Sequence, residues 1–312
     1  MIKVVGGLVL RAIVVLFGAA FLTFALLWHA PGDPAQAIAM ARFDALLTED
    51  VIAQVREEVG LNMTFWHAFW AWLGPLLQLD FGNSSVTGRP VWADLRAAIS
   101  YTFPLALVAL AIGLAISIPL AKLATKRPGG WLDRFAVGVA SLGNAIPAYW
   151  LGLILILIFA VQLAWLPALG ASTPAHAILP ALTLGLGVAA SLTRIIRSGI
   201  LEARGQSFLP AIRRRGVSER AVGRDHIAPH AAVPVITVFG LELAFLLEGL
   251  VLVEVIFGRP GLGTFLVSAV LARDFPQVQA VVVLTALIFV VVNLLIDLIY
   301  RVIDPRIGGH NA

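Results

Sequence analysis

Apolar runs of about twenty residues, the length a helix needs to cross a bilayer, recur along most of the chain. The first covers about residues 12–28, behind Lys3 and Arg11. It is longer than the roughly 7–15 apolar residues of a secretory signal, and Trp28-His29-Ala30 lacks the small residue two positions before a cleavage site, so it is expected to stay as an anchor. Five more spans are predicted over about 101–123, 135–163, 178–196, 233–253 and 278–299. Pro104, Pro119, Asn144, Pro147, Gly185 and Gly187 fall inside them. Neighbouring helices can satisfy the backbone at such breaks, and small residues let helices approach closely.

Between the first two spans lies a polar stretch, residues 31–96, with Asp33, Asp44, Glu49, Asp50, Glu57, Glu58, Asp80 and Asp94. It also holds Phe65, Trp66, Phe69, Trp70 and Trp72. Phe65, Phe69 and Trp72 follow the i, i+4, i+7 spacing of one helical face, and Trp favours the membrane interface. The stretch is expected to be a small helical segment against the outer membrane surface. The organisation is therefore residues 1–29, the N-terminus and first span; 30–97, the outer helical segment; and 98–312, a five-helix core interrupted by a loop at 199–232.

Composition removes the soluble alternative. Of 312 residues, 60% are hydrophobic and 13% charged, against roughly 25% charged in soluble domains; the mean hydropathy is +0.93. The excess must face lipid, so the fold class is an all-α polytopic membrane protein. The absence of Cys excludes disulfide frameworks, thiolate metal sites and Cys nucleophiles. The net charge of +4 matters less than its placement. With the N-terminus inside, sixteen of the 22 Lys and Arg fall on cytoplasmic segments, leaving Arg42, Arg56, Arg89, Arg96, Arg259 and Arg273 outside. That bias gives an N-in, C-in topology.

The segment between the fourth and fifth spans, EARGQSFLPAIRRRGVSERAVGRDHIAPHAAVP from Glu202 to Pro234, is too long for a plain connector. Ser207 is placed to cap a short helix through Arg215 with Phe208, Leu209 and Ile212 as its apolar side. Gly216 suits the left-handed residue that ends a helix, and Ser218 is placed to cap the next one. Three readings compete: an anionic-lipid anchor, a helix-turn-helix for DNA, or a dock for a cytoplasmic protein. Both loop ends are tied to spans, which leaves a DNA-binding unit no core of its own.

Glu202-Ala203, Gly216 fourteen residues on, Ser218, His226 and Pro234 resemble the EAA loop of ABC-transporter permeases. The likeness is greatest to the first permease of the dipeptide/oligopeptide/nickel import family. Ala30-Pro31-Gly32-Asp33-Pro34, Leu79-Asp80-Phe81-Gly82, Arg89-Pro90-Val91, Trp165-Leu166-Pro167, Ile178-Leu179-Pro180, Pro260-Gly261-Leu262-Gly263, Arg273-Asp274-Phe275-Pro276 and Asp304-Pro305-Arg306 agree in order and spacing. The resemblance implies a multi-pass permease of the bacterial inner membrane that imports peptides. It implies a second homologous permease, two cytoplasmic ATPases that bind ATP and Mg, and an extracytoplasmic solute-binding protein. In the family the loop forms a coupling helix seated in an ATPase groove; its counterparts here are Glu202, Ala203, Phe208, Leu209, Ile212, Arg213, Arg215, Gly216, Ser218 and His226. Import of nickel or a metal chelate is the alternative within the family. Where Ser207 and Pro229-His230 stand, family members often have an acidic residue and Arg-Asn.

The chain lacks a G-x-x-x-x-G-K-[ST] phosphate loop, an H-E-x-x-H and a G-x-S-x-G. It is thus expected to be non-catalytic and to hold no cofactor or metal. His226 and His230 have i, i+4 spacing, but Pro229 lies between them and no carboxylate supports them. Ionisable groups within a membrane are functional candidates. Glu242 and Glu248, about 240° apart around the fifth helix, are read either as path residues favouring cationic substrates or as carboxyls hydrogen-bonded between helices. Asn144 with Pro147 marks a broken helix that lines a path or simply kinks. Pro260, Gly261 and Gly263 suggest an outer gate, a binding-protein contact or a re-entrant turn. Asp297 and Asp304 are expected to pair with Arg301 or Arg306.

Overall fold

The computed structural model describes residues 2–43 and 48–303. Asp44, Asp304, Pro305 and Arg306 lie outside them, as do the side chains of Lys3 and Arg301, and with them the pairing expected for Asp297. Among the described residues the regular structure is helical apart from one isolated bridge, Asn83 to Pro90. The helices are α1 (Ile2–Trp28), α2 (Pro34–Phe43), α3 (Glu49–Glu58), α4 (Phe65–Leu76), α5 (Val91–Ala124), α6 (Trp131–Ala145), α7 (Ala148–Leu155), α8 (Ile178–Arg204), α9 (Leu209–Arg214), α10 (Glu219–Ala221), α11 (Ala228–Ile256), α12 (Leu262–Leu271) and α13 (Phe275–Ile303). Five helices are long and apolar enough to cross a membrane, or six if the bent pair α6–α7 is one span. That matches the six-span reading.

The chain divides into two compact units. The first comprises Met1–Thr102 and Pro260–Val291. Here α4 packs its Phe69 and Leu73 against Ala20 and Phe24 of α1. Ala35, Ile38 and Ala39 of α2 close on Val55 of α3. The α5 helix starts ten positions before the predicted span. Val91, Leu95 and Ala98, at i, i+4 and i+7, are buried with Leu262, Ala280 and Val281. Asp94 and Arg96 on the other side of that turn made the stretch read as polar. Buried Asp274 accepts hydrogen bonds from the Ser84 hydroxyl and from Ser85 N at 3.1 Å.

The second unit comprises Phe103–Arg259 and Val292–Ala312. Its centre is α8, which buries Leu184, Val188, Leu192 and Ile196 along one stripe and packs on α6, α7 and α11. Small residues set the approach of α5: a Cβ on Gly185 would lie 2.8 Å from Ile112 Cβ and 2.9 Å from Ala109 O. The predicted third span breaks at Pro147, with 100° between its halves. Ile146, before the proline, adopts φ −85° and ψ 121°, as the steric clash with a proline ring requires. The second half ends in a π-helical turn, Ile156–Gln162.

Candidate functional site

The loop is built on the continuation of two spans. α8 runs past the predicted membrane limit to Arg204, where Gly205 N bonds to Leu201 O at 3.1 Å and Glu202 O at 3.0 Å. The chain then turns through Ser207. Ser207 is not the cap expected: α9 begins at Leu209, and the residue before it, Phe208, is already helical at φ −79° and ψ −21° without a side-chain cap. A side-chain cap needs extended backbone at that position. Gly216 ends the α9 turn at φ +79°, its N–H bonded to Arg213 O at 3.0 Å, as the sequence predicted. Ser218 does cap, accepting from Ala221 N at 3.3 Å. What it caps is not a separate short helix. α10 passes through a π-helical stretch, Val222–Ile227, directly into α11, giving one apolar-ended helix over Glu219–Ile256.

The loop has its own small core. Leu209, Val222, Ile227, Ala203 and Ala231 are buried together, with Phe208, Ile212 and Val217 packed against them. His226 and His230 lie against the Phe208 ring, at 6.5 Å and 5.2 Å between centroids. The apolar side of α9 is thus taken up by its own stem, and Pro210, Ala211, Arg213, Arg214, Arg215 and Gly216 are exposed. Arg213 grips Glu219 through two bonds, 2.7 and 3.2 Å, across the turn. Glu202 is exposed and Ala203 buried.

Two polar ties hold the foot of this loop to the turn between α5 and α6. Arg197 binds Asp133 through both Nε and Nη2, the latter at 2.7 Å, and Gly129 N donates to the same carboxylate at 2.7 Å. Asp133 is only 3% exposed. Arg204 donates to Thr125 O. Sequence reasoning missed Asp133. Its sole local signal is an acidic residue in the first turn of α6, just after Gly129-Gly130, because its partner is 64 positions away.

The span residues separate. Ser191 of α8 donates its hydroxyl to Glu242 Oε1 of α11, a bond between the two helices. Glu248 is exposed on α11. Asn144 and Pro147 sit exposed on either side of the α6–α7 break. Glu254 and Arg259 at the far end of α11, neither singled out from the sequence as site residues, are buried, and Arg259 Nη1 donates to His176 O at 3.2 Å. In the first unit Gly261 precedes α12 and Gly263 is buried in its first turn. Leu262 N donates to Thr102 Oγ1 at 2.8 Å, which pins the Pro260 turn to α5.

An all-α, multi-pass membrane protein with a stiff basic loop fused to two spans is the class these features define. Residues 113–309 match the family described as binding-protein-dependent transport system inner membrane component, and residues 1–106 match its N-terminal counterpart. The chain belongs to this family; it is an inner-membrane permease subunit of an ABC importer and is not itself a catalyst. It is 37% identical over 292 residues to the glutathione transport system permease protein GsiC of Escherichia coli strain K12, covering 94% of each chain. The protein of that name from Pectobacterium atrosepticum is 38% identical over 286 residues, 92% of each chain. Among solved structures, one of inward-facing conformations of the MetNI methionine ABC transporter superposes with a TM-score of 0.58 at 19% identity, over 69% of this chain and 98% of that one. A crystal structure of an amino acid ABC transporter with histidines gives 0.54 at 20%, over 67% and 94%. Both share the fold.

Proposed function

We propose that this permease forms half of an inward path for small peptides and that its Glu202–Pro234 loop receives an ATPase. The complete importer then comprises a second homologous permease, two cytoplasmic ATPases that bind ATP and Mg, and an extracytoplasmic solute-binding protein. The observation that carries the coupling role is the fusion of loop and spans. With its core closed and its foot tied to the α5–α6 turn, the loop transmits a push on Ala211 and Arg214 into α8 and α11 as rigid bodies, the kind of lever alternating access needs. The second loop helix is continuous with α11, which leaves no free recognition helix for DNA. The peptide reading rests on the full-length likeness to the glutathione permeases, since glutathione is a small peptide.

Purified together with its partner subunits in vesicles, the complex should take up labelled di- or tripeptides in an ATP-dependent manner. Uptake of nickel but no peptide would decide for the metal alternative. Within peptides, exposed Glu248 and half-buried Glu242 should favour cationic substrates. The double change E242Q/E248Q is expected to lower uptake of a lysine-containing peptide about threefold relative to a neutral one, the size of a screened ion pair of ~0.6 kcal/mol. An unchanged ratio would remove both carboxylates from the path.

A further inference from the structure

The α4 helix, FWHAFWAWLGPL, has His67 as its sole ionisable side chain. One side of it is fully used. The Phe69 ring lies 6.0, 5.6 and 5.3 Å from Phe17, Phe21 and Phe24 of α1. Phe65 lies 5.4 Å from Phe24 and 5.9 Å from Trp28. These contacts set a depth. The membrane-crossing part of α1 ends at Trp28, and at a rise of about 1.5 Å per residue Phe24, Phe21 and Phe17 lie about 6, about 10 and about 16 Å inward of it. Seated against these three rings, the middle of α4 is below the outer end of the span, within the outer half of a hydrocarbon core about 30 Å thick. Trp28 is the outer end of α1, as the charge bias requires.

The other side of α4 has no cover among the described residues. Trp66 and Trp70, at i and i+4, are 58% and 56% exposed. Trp66 also stacks on Phe21 at 6.1 Å, so its surface continues that of α1, where Leu22 and Leu26 are 60% and 73% exposed. We propose that α4 is submerged in the outer leaflet and that Trp66 and Trp70 form a lipid-binding face contacting the acyl and glycerol region of phospholipids. A soluble partner would have to enter the bilayer to reach it. An apolar body with a polar N–H suits Trp to that boundary. The face would hold the outer helical segment at a fixed height on the membrane.

The chain has no Cys, so single spin labels can be placed directly. W66C and W70C are labelled in the full transporter, assembled with partner subunits whose cysteines have been replaced and reconstituted in vesicles of phosphatidylethanolamine and phosphatidylglycerol, with E57C on α3 as an aqueous control. Both Trp sites should be relaxed more by oxygen than by a water-soluble nickel chelate, and E57C the reverse. Overturning results are chelate access at both Trp sites equal to that of E57C, or shielding from both reagents, which would mean a protein covers the face. If the cysteine variants do not assemble, brominated phospholipid in place of the label still decides. It should quench intrinsic fluorescence less in W66F/W70F than in the parent, and equal quenching overturns the proposal.

Discussion

Replacing Gly216 with Val is expected to cut the amount of ATPase that co-purifies with the permease at least about tenfold, equivalent to ~1.4 kcal/mol, while membrane insertion stays normal. Gly216 holds φ +79°, where a non-glycine residue costs of order 1–3 kcal/mol. A Cβ placed there meets nothing within 4 Å, so the penalty is purely one of backbone conformation. The variant escapes it only by turning the chain after α9, which moves Ala211, Arg214 and Arg215 away from the line set by α8 and α11. Gly216→Ala should fall between, and Gly216→Asn should stay near the parent because Asn visits the left-handed region readily. An Asn variant as defective as Val would show that conformation is not what the position supplies. Normal ATPase yield with Val would count against docking through this loop.

The largest effect on stability is expected at the foot of the loop. Asp133→Ala strands the Arg197 guanidinium and leaves Gly129 N without its acceptor. Removing one partner of a buried ion pair costs about 3–5 kcal/mol. Arg197 keeps 26% of its side chain exposed, so the lower end applies. A loss of ~3 kcal/mol, at about 1.5 °C per kcal/mol for a chain of 312 residues, lowers the thermal midpoint in detergent by about 4–5 °C. Arg197→Lys should melt between the two, since an ammonium cannot make the two-pronged contact. Exchanging the charges in D133R/R197D should not restore the parent value, because position 133 must also accept from Gly129 N. A D133A protein that melts with the parent would remove this tie from the account.

Most of the architecture was legible because lipid imposes a coarse rule, a long apolar run per span, and because the basic residues fall mainly on one side. Gly216 and Ser218 were legible for a local reason: a left-handed turn and a helix cap depend on a few adjacent residues. The face of α4 was legible from the spacing of Phe65, Phe69 and Trp72. Ser207 misled because α8 extends to Arg204 and the chain is already helical at Phe208, leaving no extended residue for it to cap. The outer turns of α5 were missed because Asp94 and Arg96 mask the buried row of Val91, Leu95 and Ala98. The bonds from Ser191 to Glu242 and from Arg197 to Asp133 join residues 51 and 64 positions apart. No periodicity within one helix announces such pairs; they exist only once α8 has packed against α11 and α6.

The coupling role itself is tested most directly by a covalent trap. In the Cys-free chain, Ala211→Cys places a benzophenone label on the outward face of α9 in the assembled transporter. The account requires the label to capture an ATPase subunit, and the same label at Asp50 on α3 to capture none. A label at 211 that reacts with lipid or solvent alone, while ATPases remain bound to the complex, would contradict it.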